Sequence, residues 1–142
     1  AIPGYMCALW MTGFGERLEA SGEICITEIF GETITSEESR VNYGVHPFKD
    51  PTIKDEFYDD KFPINAANFH IYAAEWTPTH IDFHIDNVKV RTIEQSHTYP
   101  MQFMLAIYER PDLLTKESLE IPFPKIMEVD YVRGYQRLEG YT

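Results

Sequence analysis

Apolar and polar residues alternate along this chain in short runs with a period of two, the spacing of a strand with one buried face. Glu23 to Phe30 is the clearest run, with Ile24 and Ile26 on one face and Glu23 and Cys25 on the other. Met6 to Met11, Arg40 to His46, Phe69 to Trp76, His80 to Ile85, Val88 to Ile93, Met101 to Ile107 and Ile126 to Gln136 are the other predicted strands. Asp86-Asn87 predicts a tight hairpin between two of them. Lys49 to Pro63 reads as a long acidic surface loop, and Tyr108 to Pro124 as a second, punctuated by Pro111, Pro122 and Pro124. No long stretch carries helical periodicity, and neither repeats nor low-complexity segments interrupt the pattern. The expectation is an all-β chain forming one domain over residues 1–142.

The period of two creates a conflict inside the best strand. Glu28 lies five residues from Glu23, so strict alternation sends it to the face of Ile24 and Ile26, an expensive place for an unpaired carboxylate. One extra residue, a β-bulge near Ile26-Thr27, returns Glu28 to the face of Glu23 and Cys25 and sends Ile29 back to the core. Two carboxyls then converge on one open face. At a separation of ~5 to 5.5 Å they meet the demand of retaining glycoside hydrolysis, in which one attacks the sugar and the other moves the proton. A solvated strand with ordinary surface glutamates is the alternative that the hexapeptide alone leaves open.

The flanking segments narrow that choice. Pro3-Gly4-Tyr5-Met6-Cys7-Ala8-Leu9-Trp10-Met11 and Ala20-Ser21-Gly22 precede the pair. Phe69-His70-Ile71-Tyr72-Ala73-Ala74-Glu75-Trp76-Thr77-Pro78, Ile81-Asp82-Phe83-His84-Ile85-Asp86-Asn87, Pro100-Met101-Gln102-Phe103-Met104 and Glu128-Val129-Asp130-Tyr131-Val132-Arg133 follow it. In this order, from about Ala8 to Tyr135, the set resembles glycoside hydrolase family 16, the laminarinase, lichenase and carrageenase family. The resemblance implies a concanavalin A-like β-jelly-roll sandwich whose concave sheet carries the cleft, with the signature Glu-x-Asp-x-x-Glu. On that pattern Glu23 matches the nucleophile and Glu28 the acid/base of a retaining endo-β-glycosidase. Cys25 stands where the family has aspartate.

A thiol is mostly neutral near pH 7 and a weak donor, so Cys25 removes one negative charge from between the two glutamates. Less repulsion lowers the pKa of Glu28, against its acid role. Three readings stand open: an active site with adjusted electrostatics, a site adapted to an unusual sugar or reaction, and a glycan-binding or otherwise repurposed module without turnover. The resemblance also implies Trp10 as a sugar-stacking residue, with a buried tryptophan as the alternative, and Tyr5 at an altered aromatic platform, while His46, on the strand after the acid pair, reads either as a partner for a substrate hydroxyl or Glu28 or as a capped loop histidine before Pro47. Asp130 matches a position that often helps bind a structural calcium, but ligands for it are expected from strands that precede this part of the family domain, so no metal or other cofactor is assigned. His70 and His84 lack metal-ligand spacing and read as structural.

Composition limits the partners. A net charge of −11 with scattered Lys and Arg excludes a nucleic-acid face and disfavours sulfated or uronic polymers, which leaves neutral β-glucan, β-1,3 or mixed β-1,3/1,4, as the expected substrate class. No run approaches the ~18 apolar residues of a membrane span. Two cysteines make no disulfide framework, and both are expected reduced. The resemblance implies a secreted protein, and it places Ala8 to Met11 near the middle of the family domain, so a preceding segment or a second chain is expected to complete the sandwich.

Overall fold

A computed structural model describes residues 1–138. Eight strands follow in chain order: β1 (Tyr5–Gly13), β2 (Glu23–Phe30), β3 (Ser39–His46), β4 (Glu56–Phe62), β5 (Tyr72–Trp76), β6 (Ile81–Ile85), β7 (Val88–Ile93) and β8 (Met101–Glu109). One short helix, α1 (Lys116–Glu120), comes after β8. Its N-cap Thr115 accepts from the Ser118 amide while the Ser118 side chain answers the Thr115 amide, a reciprocal cap that fixes where the turn starts.

The strands form two antiparallel sheets, a five-stranded one in the order β4-β3-β2-β1-β8 and a three-stranded one in the order β5-β6-β7. Period-two alternation decides what lies between them. Ile24 and Ile29 of β2 and Val41, Tyr43 and Val45 of β3 pack against Ile81, Phe83 and Ile85 of β6 and Ile93 of β7. The hairpin between β6 and β7 turns on Asp86 (φ 50°) and Asn87 (φ 64°), both left-handed as a two-residue turn of this kind requires. His70 braces it: Nδ1 lies 2.8 Å from Asp86 Oδ2 and Nε2 3.0 Å from the Asn65 carbonyl oxygen.

The elements differ from the expectation in several places: the loop expected over 108–124 begins within β8 and carries α1, and β6 begins at Ile81, one residue after His80. The loop expected over 49–63 contains β4, whose inward positions are Tyr58, Asp60 and Phe62 by register with Tyr43, Val41 and Ser39. An inward aspartate hides the alternation, and its charge is met by the Tyr43 hydroxyl at 2.5 Å and Arg91 Nη2 at 2.8 Å. Phe69 to Ile71 lie outside β5, which begins at Tyr72. The strand expected over 126–136 forms no strand and no ladder among the described residues, and a strand exists only through its partner's hydrogen bonds.

The smaller sheet covers the β2–β3 side of the larger one and leaves the other side open. Phe103, Leu105 and Ile107 of β8 share a face with Met11, Leu9 and Cys7 of β1, yet they are 40, 44 and 40% exposed. That underside is built like a core and lacks a cover among the described residues.

Candidate active site

The register of β2 shows how its two carboxylates meet. Along β3, Cys25 pairs with Gly44 and Glu28 with Asn42; along β1, Trp10 pairs with Cys25 and Leu9 with Thr27. Each neighbour therefore sees one surplus residue in β2, Ile26, which packs on the core. This is the bulge that the sequence required, and it sets Glu23, Cys25 and Glu28 on the sheet face away from Ile24 and Ile29.

Neighbouring strands furnish the same face. Glu23 lies between Thr12 and His46, Cys25 between Trp10 and Gly44, and Glu28 between Ala8 and Asn42. Small residues flank the acid pair for a steric reason. A Cβ on Gly44, whose φ is +146°, would fall 2.2 Å from the Glu56 carbonyl oxygen, so only glycine allows β3 and β4 to close at this point. Upstream, the Gly22 amide donates to the Tyr99 hydroxyl at 2.9 Å, and that hydroxyl donates to Asp50 Oδ2 at 2.8 Å. A buried polar chain thus holds the backbone immediately before Glu23.

His46 is fixed on two sides. Its Nδ1 is 2.6 Å from Asp55 Oδ1, and its ring stacks on Phe57 with centroids 4.4 Å apart. At the other end, Arg110 follows β8 and sets its guanidinium carbon 5.5 Å from the centre of the Phe30 ring, two residues beyond Glu28.

Burial is the largest influence on both glutamates and raises each above the ordinary carboxylate range, as for any acid taken partly out of water. For Glu23, His46 opposes the rise and the Glu28 charge adds to it. For Glu28, His46 opposes it, then a hydrogen bond from the Cys25 thiol, then Arg110. Cys25 is 1% exposed, and burial, with the charges of Glu28 and Glu23 behind it, pushes the thiol far above its usual range. Cys25 is therefore a neutral donor to Glu28 and no nucleophile.

The sequence-predicted residues divide as follows. Glu23, Cys25, Glu28, Trp10 and His46 share one face. Trp10 is half-buried beside Cys25 and Met104, and its indole N–H has no hydrogen-bond partner among the described residues. Tyr5 is turned to the other face by alternation with Met6, and its hydroxyl donates to Glu109 Oε2 at 2.6 Å. Asp130 is exposed after α1 and joins no group of three or more His, Cys, Asp or Glu among the described residues, so a single carboxylate there does not fit a calcium site. Cys7 and Cys25 are free thiols on opposite faces of the sheet. Asp55, Phe57, Phe30 and Arg110 were not predicted. Only Gly44, a glycine inside a strand pattern, carried a readable signal of close backbone approach.

Comparison with known proteins places this geometry. The family model described as Glycosyl hydrolases family 16 matches residues 2–127. Among solved structures, a GlcNAcα1-4Gal-releasing endo-β-galactosidase from Clostridium perfringens is 27% identical with a TM-score of 0.59, over 75% of this chain and 32% of that one. LamA of Zobellia galactanivorans, solved with laminaritriose and laminaritetraose, is 21% identical with a TM-score of 0.56, over 76% of this chain and 51% of that one. A structure described among endo-acting O-glycanases of the human gut microbiota is 19% identical with a TM-score of 0.59, over 82% and 54%. The chain spans between about a third and a half of the length of these structures. No curated protein matches it.

Proposed function

Because the chain belongs to glycosyl hydrolases family 16 and has its β-jelly-roll sandwich fold, we propose that it is a retaining endo-β-glycosidase with Glu23 as nucleophile and Glu28 as acid/base. The observation that carries this reading is the bulge at Ile26, which returns Glu28 to the face of Glu23 in a strand whose alternation otherwise separates them. In the first step a Glu23 oxygen forms a bond to the anomeric carbon as the glycosidic C–O bond breaks, and Glu28 gives its proton to the departing oxygen. In the second, Glu28 takes a proton from water, whose oxygen attacks the anomeric carbon and releases Glu23 as carboxylate. His46, held by Asp55, favours the ionised form of Glu23 that attacks. No cofactor enters either step.

The substrate is a neutral β-glucan, β-1,3 or mixed β-1,3/1,4. The chain's charge of −11 supports a neutral polymer, and the laminari-oligosaccharides bound by LamA support the linkage. Trp10 lies beside the pair for contact with a sugar ring. The protein acts outside the cell, and the open underside of β1 and β8 is the face that further strands, from the same polypeptide or a second chain, cover in the working enzyme. Residues 1–142 act as part of a single sandwich domain.

One observation favours a second reading, a glycan-binding module without turnover: the residue between the two acids is a buried neutral thiol where the family has a carboxylate. Reducing-end release from laminarin, lichenan and a β-galactan decides between them. Glu23→Ala abolishes turnover and leaves binding under the first reading. Turnover that survives this substitution sinks the nucleophile assignment, and a wild-type protein that binds glucan but releases nothing establishes the second reading.

A further inference from the structure

Arg110 has no part in the two-carboxylate chemistry, and nothing in the sequence motif points to it. Its place is nevertheless tightly defined. The Arg110 amide donates to the Gly4 carbonyl at 2.7 Å, and its own carbonyl accepts from the Leu113 amide at 2.9 Å, which closes the turn after β8 over the end of β1. The guanidinium lies 5.5 Å above Phe30, the residue that shares the Glu28 face one pleat further along β2. Its ion pair with Asp112 is long, at 3.3 Å, and both partners are about half exposed or more, so that carboxylate screens the guanidinium only weakly.

We propose that Arg110, carried over Phe30, is a positioning residue for Glu28 that places a fixed positive charge at the acid/base end of the pair and away from the nucleophile. This deepens the reading of Glu28 as acid/base and rests on it for its catalytic meaning. The two acids are charged differently by their surroundings. Titratable or charged groups on this face are Glu23 and Cys25 from β2, His46 with Asp55, the Arg40–Asp59 pair and Lys61 with its partner Glu38 from β3 and β4, and Tyr108 and Arg110 from β8 and its turn, while Glu32 accepts from the Gly4 amide beyond Phe30. The β1 residues of this face, Met6, Ala8, Trp10 and Thr12, carry no charge. Phe30, under the guanidinium, is two residues from Glu28 and seven from Glu23 along β2, so Arg110 stands at the Glu28 end of the pair, where its charge opposes the rise that burial gives that acid. Burial and Arg110 thus pull Glu28 in opposite directions, and the guanidinium favours the carboxylate that accepts the water proton in the second step.

The test is a titration of both glutamate side chains by carbon-detected NMR in wild type, Arg110→Gln and Arg110→Lys, alongside the pH profile of kcat/KM. In Arg110→Gln the Glu28 midpoint moves up and the Glu23 midpoint stays; Arg110→Lys, which keeps the charge, returns the Glu28 midpoint toward wild type. The alkaline limb of kcat/KM follows Glu28 upward. A Glu28 midpoint that does not move, or that moves together with Glu23 in both variants, overturns the proposal. The titration needs no turnover, so a protein without hydrolytic activity removes the glycosidase reading while the midpoints still decide what Arg110 does.

Discussion

Replacing Cys25 by aspartate restores the family's carboxylate at a position where this structure predicts large electrostatic effects. The native thiol is buried and hydrogen-bonded to Glu28, so a carboxyl at residue 25 has its oxygens against the same partner. Two unit charges about 4 Å apart in an effective dielectric of about 20 repel by about 4 kcal/mol. That exceeds the energy of leaving one of them protonated near neutral pH, so the pair retains a shared proton to higher pH and titrates as a unit. Glu28, already raised by burial, is then held in its acid form over a wider range. The expected result for Cys25→Asp is an alkaline limb of kcat/KM shifted to higher pH, with greater release of reducing ends from laminarin at pH 7 to 8 (roughly one pH unit above neutral). Stability falls in the same variant, because a polar group added to a site only 1% exposed costs about 1–3 kcal/mol when imperfectly bonded. Cys25→Ser, which adds no charge, serves as control and leaves the pH profile in place. The reasoning is refuted if the Cys25→Asp profile superimposes on that of wild type or moves to lower pH. Turnover that appears only in Cys25→Asp identifies the natural site as one switched off by its thiol.

Two further substitutions probe the frame and the acid. Gly44→Ala places a methyl 2.2 Å from the Glu56 carbonyl oxygen and 2.8 Å from the Phe57 Cα, at a φ of +146°; strain and overpacking together cost about 3 kcal/mol, read as a lower urea midpoint, and an unchanged midpoint contradicts the close approach. For Glu28→Gln the sign follows from the raised pKa. A glutamate whose folded value lies above its unfolded value stabilises below the unfolded pKa of about 4.3 and loses that contribution as pH rises through the folded value. Glu28→Gln is therefore more stable than wild type at pH 7 and equal to it near pH 4 (about the unfolded pKa), by thermal melts at the two conditions; equal melts at both contradict the burial of the acid.

Alternation made most of the fold legible, because β1, β2, β3 and β6 bury residues on one face and β8 keeps the same apolar alternation although its face lies open. It failed at β4, where inward Asp60 reads as a loop residue until Tyr43 and Arg91 are seen around it, and those partners come from β3 and β7. It failed in the opposite sense at 126–136, where a good strand pattern finds no partner. The acid pair was readable because its signal is local: Glu23, Cys25 and Glu28 lie in one hexapeptide, and the energetic cost of burying Glu28 forces the bulge. Asp55 and Arg110 were not readable, since the first reaches His46 through the turn before β4 and the second reaches Phe30 across β1. Tyr5 failed by one step of alternation. It sits where an aromatic platform was expected, but Met6 takes the face of the acids.

The extra residue in β2 also decides which changes of length this strand can absorb. Removing Ile26 or Thr27 leaves a regular strand in which Glu23, Cys25, Glu28 and Phe30 still fall on one face, whereas removing one residue between Glu23 and Cys25 carries Glu23 across to the core side. The strand thus has a single place where its length is negotiable. Sequences shortened there keep both acids on one sheet face, so spacing between the two glutamates is a poor criterion for dismissing a distant relative.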